Sequence, residues 1–182
     1  MSPSGRALDA SAFVESLRSI SIGATFNQYA EGERAPLLRE RLLRYLEERA
    51  GAPLLLVGEA PGYRGARVSG IPFTSERQLS GSGPAEATAT IVHRVLRELG
   101  LEESVLLWNA VPTHPGTDAS NRTPSAAEVD GGRWFASRLG LGRVVIPVGR
   151  VAEAALGIPG IRHPARGGAR AFRAALVECV GQ

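Results

Sequence analysis

Residues 53–73 read PLLLVGEAPGYRGARVSGIPF. Residues 53–58 are an unbroken apolar run, too short for a helix and suited to a parallel strand covered on both faces. The chain then turns polar and sheds its side chains. Glu59 is followed by Ala60, Pro61 and Gly62, then by Tyr63, Arg64, Gly65 and Arg67, before the segment closes at Phe73. In an α/β fold the loop after a parallel strand faces the ligand site.

Outward from this segment, helical and strand signals alternate. A helix is expected from Pro36, with Leu38, Leu42, Tyr45 and Leu46 on one face and Gly51 and Pro53 closing it. A second covers residues 84–99, where Ile91, Val92, Val95, Leu96 and Leu99 share a face and Gly100 ends it. SVLLWNA, 104–110, is the second strand. NRTPSAAEVDGGRWFASRLG, 121–140, is a loop and then a helix capped by Thr123 or Ser125, and GRVVIPVG, 142–149, is the third strand. RVAEAALG forms a short helix, GIRHPARGG carries the end of a last strand and a loop, and a helix spans 169–180. The expected architecture is three-layer α/β/α around a central, mainly parallel four-stranded sheet. One domain covers residues 1–182, with residues 1–50 a helical segment packed on it.

Composition narrows the chemistry. The 182 residues carry a net charge of +3 and a pI near 9.7, and all 21 basic residues are arginine. Guanidinium groups bind phosphate bidentately, and without lysine no side chain forms a Schiff base. The single cysteine, Cys179, supplies too few thiolates for an iron–sulfur cluster, and the three histidines lack ligand spacing. No metal and no cofactor are expected. Neither a membrane span nor a secretion signal is legible, so the expectation is a cytoplasmic protein, and a monomer is expected. VGEAPGYRG is not GxGxxG, and no GxxxxGK[ST] occurs, which argues against dinucleotide or triphosphate binding.

Three loops meet at the carboxyl edge of the expected sheet: GEAPG followed by GIPF, the asparagine of WNAVP, and the HP of RHPARGG. In this order, and on these elements, they resemble the uracil-DNA glycosylase superfamily, in particular bacterial branches whose first motif begins GEAPG. The resemblance covers residues 53 to 170 and implies a base-flipping enzyme that reads the Watson–Crick edge of an extruded base.

Carried onto this chain, the resemblance implies that Phe73 stacks on the flipped pyrimidine. Asn109 accepts from N3 and donates to O4, and cytosine presents the reverse pattern. His163 stabilises the anion developing at O2. Backbone of Gly58, Ala60, Pro61, Gly62 and Tyr63 approaches the base, and Glu59 lies near the sugar or the base edge. Arg64, Arg67, Arg162, Arg166 and Arg170 are candidates for the DNA backbone. His114 contacts phosphate or orders its loop, and His93 is expected on a helix surface.

The sequence also departs from the family. Gly65 and Ala66 stand where the GEAPG branches carry two acids, and Ala60 where another branch has an aspartate. Gly62 aligns with a tyrosine that blocks the thymine methyl, and one residue is inserted before GIPF. The reading is a monofunctional glycosylase acting on uracil in single- or double-stranded DNA. The alternatives are a uracil- or abasic-DNA binding protein without turnover and a nucleoside glycosidase.

Overall fold

The computed structural model describes residues 8–181. Three parallel strands, β1 (Leu54–Gly58), β2 (Val105–Asn109) and β3 (Val144–Pro147), form a sheet in the order β2-β1-β3. Every residue of β1 and β2 is buried. Alternation along these strands builds two cores. Leu55, Val57, Leu106 and Trp108 face a layer made by α1 (Ala10–Ser19), α2 (Ala35–Glu48), α6 (Ala126–Gly140) and α7 (Arg150–Leu156). Leu54, Leu56, Val105 and Leu107 face α5 (Ala87–Glu98) and α8 (Ala169–Val180). Two covered faces explain why the strands are apolar throughout rather than alternating.

The fourth strand shrinks to one residue. Ile161 bridges Val148 in parallel, with Ile161 N–H donating to Pro147 O (2.8 Å) and Gly149 N–H donating to Ile161 O (2.9 Å). Pro159 and Gly160 precede it, and Pro164 follows with no N–H to give, so the ladder stops there. The expected helices form, with Ser125 rather than Thr123 as the cap of α6. Ser125 and Glu128 form a capping box, Ser125 N–H donating to the Glu128 carboxylate at 2.8 Å. Sequence periodicity missed two short helices inside the glycine-bearing segment, α3 (Ala66–Ser69) and α4 (Glu76–Ser80).

Topology opens the site. From β1 the chain leaves toward α5 on one face of the sheet, and from its neighbour β3 toward α7 on the other. Adjacent strands whose connections diverge leave a crevice at their carboxyl ends. Residues ahead of α2 fold back over this edge. Phe26 and His114 pair in an antiparallel bridge with a 2.9 Å backbone bond in each direction. Thr25 and Thr113 hydroxyls share a hydrogen bond of 2.5 Å, and Gln28 Nε2 donates to Pro112 O at 2.9 Å.

Candidate nucleic-acid base site

Gly58 and Asn109 end neighbouring strands and stand opposite each other in register. Gly58 is glycine because two side chains close over it. A Cβ there would lie 2.7 Å from Cε2 of Phe73 and 3.2 Å from Oδ1 of Asn109. An aromatic ring and a primary amide therefore converge on one point at the end of β1, lining a cleft of about 730 Å³. Phe73 is only 8% exposed and has φ 53°. A bulky residue in the left-handed region costs on the order of 1–3 kcal/mol and persists only where its surroundings over-determine it.

Those surroundings are visible. Ser69 Oγ donates to Thr74 O at 2.6 Å, and Thr74 Oγ1 is 3.0 Å from Nε2 of His93. His93 is thus half-buried against the Phe73 loop, not a free surface residue as the sequence suggested, and burial pushes its pKa down.

The loop after β1 carries Glu59, half-buried in the cleft, whose carboxyl is pushed up by burial. Ala60, Pro61 and Gly62 continue the same wall. Across the cleft, past β3, His163 is half-buried and its Nδ1 accepts from Ala165 N–H at 3.2 Å. In the neutral ring this bond leaves the proton on Nε2. Burial lowers the His163 pKa and favours that neutral form.

Several candidates sit differently from expectation. His114 is fully buried and both ring nitrogens are engaged, Nδ1 with Pro61 O and Nε2 with Thr117 O, each at 2.7 Å. It orders the loops and offers nothing to a phosphate. The Arg67 guanidinium lies 4.8 Å from the centre of the Phe26 ring, so this half-buried group packs against the N-terminal segment and does not line the cleft. Arg170 is exposed on the first turn of α8, outside the cleft, whereas Arg162 and Arg166 line it. Arg64 is exposed above the Tyr63 ring, 5.5 Å from its centre, and Tyr63 meets the site loops through its backbone N–H, which donates to Asn121 Oδ1 at 2.8 Å.

Sequence reasoning overlooked Glu86, Asn121, Arg122 and Arg150, all in the cleft wall. Asn121 and Arg122 lie in a polar NRTPS loop that carried a signal of sorts, while Glu86 belongs to no motif. No group of three or more metal-ligating side chains placed to hold an ion occurs among the described residues. An aromatic surface, an amide, a neutral imidazole donor and arginines at the rim suit a planar, hydrogen-bonding ring attached to phosphates.

Comparison with known proteins bears on the fold and the family. Residues 47–177 match the family model described as the uracil DNA glycosylase superfamily. Among solved structures, the crystal structure of wild-type SMUG2 from Pedobacter heparinus shares the fold, with a TM-score of 0.69 at 14% identity over 94% of this chain and 97% of that one. No match emerges among the curated proteins compared. The matched span contains all three strands and all three motif loops, well over half of the sequence. The chain belongs to the uracil DNA glycosylase superfamily.

Proposed function

We propose that the protein is a monofunctional DNA glycosylase that extrudes uracil from DNA and hydrolyses its N-glycosidic bond, opening base excision repair. The observation that carries this reading is the convergence of Phe73 and Asn109 on Gly58, with His163 across the same cleft. In this reading the pyrimidine stacks on Phe73 while Asn109 accepts from N3–H and donates to O4. Cytosine would face its own amino donor and bare N3 with the same amide and leave both sides unpaired.

As the C1′–N1 bond stretches, its electron pair moves onto the uracil ring. The neutral His163 donates from Nε2 to O2, where that charge collects, and does so without an imidazolium to desolvate. Positive charge on the sugar is offset by the Glu59 carboxylate. Water adds to C1′, loses a proton, and leaves an abasic strand and free uracil. Arg162 and Arg166 at the rim hold phosphates on either side of the extruded nucleotide.

The test is incubation of excess protein with single- and double-stranded DNA carrying one uracil, read out as free base and as abasic sites. Release of uracil with cytosine untouched is the expected result, abolished or strongly slowed by Asn109→Ala. Tight binding to uracil DNA with no abasic product would replace this reading by that of a binding protein.

A further inference from the structure

Glu86 is the residue before α5, the position from which an acidic side chain ordinarily caps a helix. Its side chain does not cap. It turns into the cleft, and among the described residues no hydrogen bond offsets its burial, which pushes its pKa up. Its resting place is the bare backbone of the loop after β1. A Cβ at Gly62 would fall on Oε1 of Glu86, and one at Gly65 would fall on Oε2. The carboxylate thus fills space that two side chains of the loop would otherwise take. Ala60, Pro61 and Ala66 are short, and Tyr63 does not line the cleft.

The position of this wall follows from its neighbours. His114 and Asn121, both from the segment after β2, hold Pro61 O and Tyr63 N–H. Gly62, with Glu86 against it, is thereby tied to the segment that leaves β2, the strand that ends in Asn109, while His163 lies beyond β3. A pyrimidine with O2 at His163 and N3–O4 at Asn109 presents C5 next around the ring after O4, toward that wall. We propose that Glu86 is a specificity-determining residue that closes the C5 edge of the base site against 5-substituted pyrimidines, thymine first among them. This inference rests on the reading of the cleft as a uracil site.

Rejection of one methyl group by a closed pocket wall is worth about 10–200-fold. Two variants separate shape from charge: Glu86→Gln keeps the wall, and Glu86→Ala removes it. Two readouts separate this inference from the activity it rests on. The first is single-turnover release of uracil and of thymine, each opposite guanine in otherwise identical duplexes. The second is equilibrium binding of duplexes carrying 2′-fluoroarabino-deoxyuridine or its 5-methyl counterpart, chosen because they resist hydrolysis. Wild type is expected to prefer the 5-hydrogen analogue by about 10-fold or more, Glu86→Gln to keep that preference, and Glu86→Ala to bind the two within about 3-fold. In the cleavage assay Glu86→Ala should gain thymine release relative to uracil by a similar factor.

An Ala variant that retains the wild-type preference in either readout overturns the role of Glu86, as does wild type that binds both analogues alike. Loss of the preference in Glu86→Gln as well would assign the effect to charge and overturn the steric wall. Wild type that releases no uracil but still prefers the 5-hydrogen analogue, with the preference lost in Glu86→Ala, would overturn the proposed activity and leave the wall standing.

Discussion

Gly58→Ala adds one methyl group at the most crowded point of the site. The new Cβ would lie 2.7 Å from Cε2 of Phe73 and 3.2 Å from the Asn109 amide oxygen. Cζ of the same ring would lie closer still, and carbon atoms rest at about 3.5–4.0 Å, so the ring must withdraw by at least about 1 Å. It has little freedom to do so, because Phe73 already sits at φ 53° and the next residue is held by Ser69 and His93. Overpacking of this kind costs about 1–3 kcal/mol, a fall in melting temperature of about 2–12 °C for a chain of this size. Excision should suffer more, by about 10²-fold, since displacement of positioning groups by about 1 Å carries that penalty. The assay is single-turnover uracil release at saturating protein, with a thermal melt of the same sample. Gly51→Ala is the matched control, because nothing lies within 4 Å of a Cβ at Gly51; it should leave rate and stability unchanged. Wild-type excision and melting in Gly58→Ala would refute the argument that ring and amide are wedged against this glycine.

Three further outcomes are expected. His163→Ala should slow uracil release by about 10²-fold or more, as removal of one oxyanion donor does, while Glu59→Gln should cost about 10-fold or less; single-turnover rates with retained DNA binding check this, and a loss of about 10³-fold in Glu59→Gln would make that carboxylate the general base instead. Glu128 is held at a pKa of about 2 by the Arg122 guanidinium, then by Ser125 and Ala24 N–H groups, against the opposing effect of burial. Its folded pKa lies below the ordinary carboxylate value, so its contribution is present above about pH 4.5 and lost as pH falls toward 2, amounting to about 2 kcal/mol once solvent around Arg122 is allowed for; roughly half of it is gone at pH 3, so in urea unfolding wild type should lose about 1 kcal/mol more than Glu128→Gln between pH 7 and pH 3. Because the chain has no lysine, the product should be an intact abasic strand, and borohydride should trap no enzyme–DNA adduct once the N-terminal amine is blocked.

Much of the fold was legible because its signals are local. The apolar run of β1, the Ser125–Glu128 capping box and the span of α8 each depend on a few adjacent residues. The fourth strand was not, because one bridged residue between Pro159 and Pro164 has too little sequence to advertise itself. In the site, Gly58, Phe73, Asn109 and His163 were marked by motif order. Arg67 and His114 were marked too, yet their surroundings are set by Phe26 and Pro61, residues distant in the chain, and no spacing rule reports a cation over a remote ring or an imidazole bonded to a remote carbonyl. Glu86 was invisible for the same reason in reverse: its sequence context is a helix start, and only packing brings it onto Gly62 and Gly65.

The antiparallel bridge between Phe26 and His114 gives the site a longer reach along the chain than its motifs suggest. His114 steadies Pro61, so the GEAPG backbone is braced, at one remove, by a strand partner that lies well before residue 47, where the family match begins. Thr25 and Gln28 clamp the same loop. A protein trimmed to the matched span would retain every group proposed to touch the base, yet it would lack the splint that keeps those groups in register. In this fold part of the scaffolding behind the recognition elements lies outside the stretch that carries them.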